Sequence, residues 1–264
     1  MTDPLESAIL EWYTHVEDES TRLTRAPHHR VELLRTREII GRFLGEGPMD
    51  VVDVGGAAGI HAGWLAGLGH RVTLVDPVPR HVEASAQLPG VTAHLGDARA
   101  LDLPDDAFDL GLALGPLYHL ADRGQRVTAL RELSRVVRPG GAVLAAAIGR
   151  YAVLGEFVLD GEFEGEWVRT LLHHLRYGEN LDEEGFPLRK AHLSEELYDE
   201  ALAAGWVEVG VIGIEGPLGM AVNLVDPERA DTVVEQACRL ADILESDEHA
   251  LEMSPHLMVF GRVP

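Results

Sequence analysis

The stretch Val51-Val52-Asp53-Val54-Gly55-Gly56-Ala57-Ala58-Gly59 decides the fold of this chain. Its first four residues are three valines around one aspartate, a composition typical of a buried β-strand. The glycines that follow let the backbone approach a ligand closely, because they carry no side chain. Ile60 then begins a helical pattern of apolar residues. A strand, a glycine-rich turn and a helix in this order predict a ligand-binding loop.

Short apolar runs alternate with helical patterns on either side of this loop. The predicted strands of this region are residues 51–54, 72–75, 91–95, 108–114 and 142–148. Between them, Ile60, Trp64, Leu65 and Leu68 share one helical face, and Val127, Leu130, Leu133 and Val137 share another. This alternation predicts βαβ units with right-handed crossovers, and therefore a parallel sheet with helices on both faces.

The flanking segments complete a single predicted domain over residues 1–264. Residues 1–47 form a helical lead-in, residues 48–150 the core, residues 151–193 a cap insertion, and residues 194–264 the rest of the sheet. The last part contains helices over 194–204 and 227–244 and strands over 206–214 and 256–260. The predicted fold class is α/β, a Rossmann-like, seven-stranded, mostly parallel sheet whose last strand is antiparallel.

The cap insertion is predicted to be irregular and to cover a pocket. Its aromatic residues offer a wall for a flat or cationic ligand, and plain hydrophobic packing explains them equally well. These residues are Phe157, Phe163, Trp167 and Tyr177.

A nicotinamide dinucleotide would require the loop pattern G-x-G-x-x-G. Counted from Gly55, the second and third glycines of that pattern fall on Ala57 and Ile60. An oxidoreductase is therefore the weaker alternative.

The loop instead resembles the D/E-x-G-x-G-x-G motif of class I S-adenosylmethionine-dependent methyltransferases. Asp53, Gly55 and Gly59 match this motif, and Ala57 replaces its middle glycine. Together with the lead-in and the tail, the chain is similar to a bacterial subgroup that methylates small molecules. The resemblance implies that S-adenosylmethionine is the cofactor and that Asp53, Gly55, Gly56, Ala57 and Gly59 contact it.

Further cofactor contacts are expected where the next strands end. Asp76, followed by Pro77, can accept hydrogen bonds from both ribose hydroxyls. The resemblance makes Asp97 the acceptor for the adenine amino group and the Ala98 amide a donor to the ring, although an ordinary turn explains Gly96-Asp97-Ala98 as well. Leu114 ends the fourth strand and is expected near the transferable methyl group.

The catalytic candidates follow the fourth strand. His119 can act as general base towards a hydroxyl acceptor, and Tyr118 is its neighbour in the predicted pocket wall. Tyr13, His15 and Arg22 lie in the lead-in, where any of them could contact the methionine carboxylate or the substrate. The structural alternatives are that His119 caps or packs near the following helix, and that the lead-in residues lie on a solvated amphipathic helix.

Composition limits the partners. The formal charge of −22 repels nucleic-acid backbones, so a small-molecule acceptor is predicted and no nucleic-acid partner. We predict no metal site, because the paired histidines lack the spacing of zinc ligands and Cys238 is the only cysteine. No run of about 20 apolar residues suggests a membrane span, which predicts a cytoplasmic protein. The apolar stripes of the lead-in and of the 227–244 helix favour a homodimer.

The predicted function is methyl transfer to oxygen, nitrogen or carbon of a small molecule, in specialised metabolism. A protein that binds S-adenosylmethionine without transferring its methyl group is the alternative that the sequence leaves open.

Overall fold

Seven strands form one sheet in the order β3-β2-β1-β4-β5-β7-β6. The computed structural model describes residues 4–15, 19–154, 165–179, 188–219, 222–223 and 226–264. The strands are β1 (Asp50–Val54), β2 (Arg71–Asp76), β3 (Val91–Leu95), β4 (Phe108–Ala113), β5 (Val137–Ile148), β6 (Val207–Gly213) and β7 (His256–Arg262). The predicted fold class is therefore confirmed.

Strand direction places the ligand-binding edge. The neighbours β3, β2, β1, β4 and β5 all pair in parallel, whereas β7 pairs antiparallel with β5 and with β6. The carboxyl ends of the parallel strands consequently meet at one edge of the sheet, where open α/β sheets bind their ligands.

Helices cover both faces of the sheet. In the part of the chain that the structure describes they are α1 (Pro4–His15), α2 (Arg22–Arg25), α3 (Pro27–Gly41), α4 (Ile60–Gly67), α5 (Pro79–Ser85), α6 (Arg123–Val136), α7 (Glu166–Tyr177), α8 (Ser194–Ala204) and α9 (Ala230–Leu244). Because neighbouring strand residues point to opposite faces, Val51 packs with Leu65 of α4 and Val52 packs with Leu130 of α6. Two apolar layers thus hold the sheet between its helices.

Several predicted boundaries are wrong. β5 begins at Val137 rather than at 142, because the chain enters the sheet directly after α6 and passes Gly140 with a φ of 78°. Leu68 is 56% exposed, since α4 ends at Gly67 before its apolar face reaches that position. The cap is not wholly irregular, because it contains α7. Phe157 and Phe163 lie outside the described residues, and Tyr177 is 47% exposed.

The apolar stripe of α9 is already covered within the chain. Val234 and Ala237 of this helix pack with Val31 of α3 and with Val222. That packing covers part of the apolar stripe from which a homodimer was predicted, and the homodimer itself stays a prediction. Among the described residues, no helix is both long and apolar enough to cross a membrane.

Candidate active site

The loop after β1 takes a backbone conformation that favours glycine. Gly55 and Gly59 have φ angles of 70° and 85°, and Ala57 lies between them at 48°. A Cβ atom on Gly55 would lie 2.8 Å from Pro116 Cγ, so the loop passes very close to the segment after β4. On Gly56, a Cβ atom would lie 2.6 Å from Asp53 Oδ2. Because Gly55 and Gly56 carry no side chains, the space beside their backbone stays open, and we call this space the cradle.

Asp76 holds the loop in place. Its Oδ2 accepts the Ala57 amide at 2.9 Å, and its Oδ1 accepts the Val78 amide at 2.9 Å and lies 3.0 Å from His81 Nδ1. A carboxylate has about four lone-pair sites, so room remains for one further hydrogen bond. The expectation that Asp76 accepts both ribose hydroxyls stays a prediction, and the hydrogen bonds within the protein leave room on Asp76 for one of the two. His81 Nε2, which is buried and unpartnered among the described residues, can accept the second.

Asp97 also differs from the expectation drawn for it. Both of its oxygens lie 3.0 Å from Arg99 Nε, and Oδ1 accepts the Arg99 amide at 2.8 Å. This local ion pair points the carboxylate towards its own turn. An adenine amino group would therefore have to share Asp97 with Arg99.

Asp53 is buried in the floor of the cradle at 1% exposure. Neither of its oxygens has a hydrogen-bond partner among the described residues. Burial, with a further contribution from Asp76, raises the pKa of Asp53 to about 7. An unsatisfied polar group in a dry site is costly, and a bound ligand or water that donates to it would offset this cost.

These groups line one cavity at the carboxyl ends of the strands. The predicted site residues in its wall are Tyr13, Arg22, Asp53, Gly55, Gly56, Ala57, Asp76, Pro77, Asp97, Ala98, Leu114, Tyr118 and His119. Gly59 is not in the wall; a Cβ atom there would meet Leu88 Cδ1 at 2.7 Å, so this glycine serves helix packing. His15 is exposed and lies outside the wall.

Tyr13 and His119 form a buried pair at the end of the cavity nearest β4. Tyr13 Oη lies 3.0 Å from His119 Nε2, and their rings meet edge to face with centroids 5.5 Å apart. The Tyr118 hydroxyl is hydrogen-bonded to Tyr13. Burial raises the pKa of Tyr13 well above its usual range, so its hydroxyl keeps its proton. Helix α1 of the lead-in therefore reaches over the site, as predicted.

Arg22 extends the contribution of the lead-in. Its guanidinium donates to both oxygens of Glu32, at 2.9 and 3.0 Å, and to Glu19 at 3.1 Å. Burial opposes ionisation of Glu32, but Arg22 outweighs it and lowers the pKa of this carboxyl well below its usual range. The pair brings one positive and one negative charge to the cavity wall.

A second cavity adjoins the first. The residues that line both are Tyr13, Glu19, Arg22, Glu32, Tyr118 and His256. Its remaining wall combines Trp12, His28 and His29 of the lead-in with apolar residues such as Ile148 and Leu188. Tyr13 lines both cavities and therefore lies at the junction between them, whereas His119 lines the first cavity.

Comparisons with known proteins agree with this architecture. Residues 52–145 match the family described as "Methyltransferase domain". Residues 52–145 are therefore similar to a methyltransferase domain. A ubiquinone biosynthesis O-methyltransferase of Methylocella silvestris is 36% identical over an alignment that covers 54% of this chain and 60% of that protein. The chain thus spans less than two thirds of that relative.

Solved structures show the same fold. An S-adenosylmethionine-dependent methyltransferase of Thermotoga maritima superposes with a TM-score of 0.59 at 18% identity, covering 98% of this chain and 99% of that one. The N-methyltransferase NodS of Bradyrhizobium japonicum, solved with S-adenosyl-L-homocysteine, gives 0.59 at 15% identity, covering 99% and 100%. The prediction of a class I S-adenosylmethionine-dependent methyltransferase is confirmed at the level of domain and fold.

One group of residues in the wall of the second cavity has the composition of a metal centre. Glu32, Glu215 and His256 bring ligand atoms within 4.8 Å of one another. However, Glu32 is paired with Arg22, and His256 Nδ1 lies 2.5 Å from Glu215. Burial disfavours the charged ring, but the two glutamates outweigh it and raise the pKa of His256 to about 9. The cluster is thus neutralised by groups of the protein itself.

Sequence reasoning missed several residues of the site, among them Glu32, His61, His81 and His256. Glu32 belongs to a charged lead-in helix, and His256 begins a strand far along the chain. The spacing of His81, five residues after Asp76, is a signal that could have been used, because it places the side chain in the first turn of α5, just beyond the strand end.

Replacing Asp76 by alanine should weaken both the loop and the cofactor site. Two backbone amides and His81 lose their acceptor, so we expect lower stability and a loss of about 1.5–3 kcal/mol in binding of S-adenosylhomocysteine. Calorimetry and urea unfolding measure the two effects. Glu83→Ala, an exposed residue on α5, is the matched control; equal affinities of Asp76→Ala and this control would contradict the assignment.

The raised pKa of Asp53 predicts a pH dependence of stability. Between about pH 4 and pH 7 the folded state keeps a proton on Asp53 that the unfolded state has lost, so stability falls as pH rises. Asp53→Asn cannot titrate and lacks this loss. Urea unfolding of the ligand-free protein at about pH 5 and about pH 8 should show the wild type losing stability relative to the variant. Parallel pH profiles would place Asp53 in a polar environment instead.

Proposed function

We propose that the chain binds S-adenosylmethionine in the first cavity and methylates a hydroxyl group of a small molecule held in the second. The observation that carries this proposal is the hydrogen bond between Tyr13 Oη and His119 Nε2 at the junction of the two cavities. The unpartnered oxygens of Asp53 and the open cradle around Gly55 and Gly56 fit the cofactor. When bound, S-adenosylmethionine supplies an electrophilic methyl group on a sulfonium sulfur.

A hydroxyl acceptor needs a base, and the pair provides one. Tyr13 lines both cavities, so its hydroxyl can meet the acceptor, while His119 lies behind it. In the tautomer with Nδ1 protonated, His119 Nε2 accepts the Tyr13 proton as Tyr13 Oη accepts the proton of the acceptor hydroxyl. His119 ends the step as an imidazolium, and the acceptor oxygen is left with the electron pair that attacks carbon.

Alignment and exclusion of water supply the rest of the acceleration. Methyl transfer is an in-line displacement, so holding the acceptor oxygen against the methyl group raises the rate even before proton transfer is counted. Tyr118 and Leu114 lie in the wall between the strand ends and the lead-in, where they can restrict the approach. The proposal also includes predictions made from the sequence. They are a small-molecule acceptor, a role in specialised metabolism, a cytoplasmic location and a homodimer.

The test is a turnover assay with a panel of phenols, alcohols and amines, in which S-adenosylhomocysteine formation is followed by mass spectrometry. A hydroxyl acceptor should give turnover. Saturable binding of S-adenosylmethionine with no turnover for any acceptor class would favour the alternative of a binding protein without methyl transfer.

Substitution of the pair should separate proton transfer from cofactor binding. We expect His119→Gln and Tyr13→Phe each to lower kcat for a hydroxyl acceptor by about 10²–10⁴, with little change in affinity for S-adenosylhomocysteine. Because the two residues act in one relay, the double variant should be no slower than the slower single variant.

His15→Gln is the control for this prediction, since His15 lies exposed at the end of the same helix as Tyr13. Additive losses in the double variant would contradict a relay. An unchanged kcat in His119→Gln would indicate an acceptor that needs no base, such as a neutral amine.

A further inference from the structure

The first cavity has two chemically different ends. Asp76 and Asp97 lie where β2 and β3 end, whereas Ala146 of β5 and His256 of β7 mark the opposite end. Strands lie about 4.8 Å apart, so β2 and β5, three spacings apart in the sheet, are separated by about 14 Å. An elongated ligand laid across the strand ends with its base at β2 and β3 therefore directs its other end towards β4 and β5.

That opposite end is charged, and its charges come from the lead-in. Glu32 of α3 is 9% exposed and remains ionised beside Arg22. Each Glu32 oxygen accepts one guanidinium hydrogen, so about two of its four lone-pair sites are left for another donor. Burying an ion pair is costly unless its remaining hydrogen-bonding capacity is used.

His61 adds an independent observation at this end of the cavity. It is 9% exposed, and its Nδ1 has no hydrogen-bond partner among the described residues. Burial lowers the pKa of His61 to about 4, so the ring is neutral and can accept or donate one hydrogen bond. Thr36, about one turn after Glu32 on α3, lines the same cavity. Buried polar atoms without protein partners indicate that a polar ligand group completes the site.

We propose that Glu32 accepts hydrogen bonds from the α-ammonium group of the cofactor, while Arg22 faces its carboxylate. This inference rests on the proposed function, since it deepens the assignment of S-adenosylmethionine to the first cavity. A zwitterion matches the pair because its positive and negative groups meet charges of opposite sign. Helix α3 thus distinguishes an amino-acid tail from any other substituent on the 5′ position of adenosine.

The test compares two ligands and one variant by calorimetry. S-adenosylhomocysteine carries the amino-acid tail, whereas 5′-methylthioadenosine keeps the adenosine and sulfur but lacks it. Glu32→Gln should weaken S-adenosylhomocysteine by about tenfold or more and change the affinity for methylthioadenosine by less than about twofold. Glu38→Gln, an exposed glutamate on the same helix, should leave both affinities unchanged.

Equal weakening of both ligands would make Glu32 a structural residue, and no weakening of either would remove it from the cofactor site; both results overturn the proposal. If Glu32→Gln does not fold, the wild type is titrated with an analogue of S-adenosylhomocysteine that lacks only the α-amino group. An affinity equal to that of S-adenosylhomocysteine would then overturn it. Failure of the wild type to bind any adenosyl ligand would instead reject the proposed function.

Discussion

One carboxylate, Asp76, ties the active site together. It accepts hydrogen bonds from the loop after β1 and from the turn that begins α5, so the ends of two neighbouring strands and a helix are fixed by a single side chain. The loop needs this support because three of its residues, Gly55, Ala57 and Gly59, have positive φ angles. Ala57 in particular takes a conformation that costs a non-glycine residue free energy, and the hydrogen bond from its amide to Asp76 helps to offset that cost.

The lead-in helices supply residues of the cavity wall that the sheet does not. Tyr13 and Glu32 come from helices that precede the first strand, yet they supply the partner of His119 and a buried negative charge of the cavity. In the function that we propose, the sheet provides the positions for the cofactor, and the helices that precede it provide the groups directed at its reactive and charged ends.

Much of the fold could be predicted from local patterns. The loop after β1, the seven strands and α8 follow from hydrophobic periodicity and glycine placement, which are local properties of the sequence. Boundaries such as the start of β5 at Val137 could not be predicted, because the strand begins wherever a neighbour is available to pair with it. The surroundings of α9 could not be predicted for a related reason: part of its apolar stripe packs against α3 of the same chain.

The site was predictable only in part. Residues that follow strands converge because of topology, which is why Asp53, Asp76 and Asp97 lie in one cavity. The hydrogen bonds of the site could not be predicted. Arg99 donates to Asp97, and Tyr13 is hydrogen-bonded to His119, which lies 106 positions later in the sequence. Such pairs are set by tertiary packing, and a single sequence holds no signal that links them.

We propose that the cavity at the strand ends binds S-adenosylmethionine. Calorimetric titration of the purified protein with S-adenosylmethionine, S-adenosylhomocysteine and NAD, at matched ionic strength, tests it most directly. We expect saturable binding of the two adenosyl sulfur compounds and no binding of NAD. Binding of NAD without binding of either adenosyl compound would contradict it.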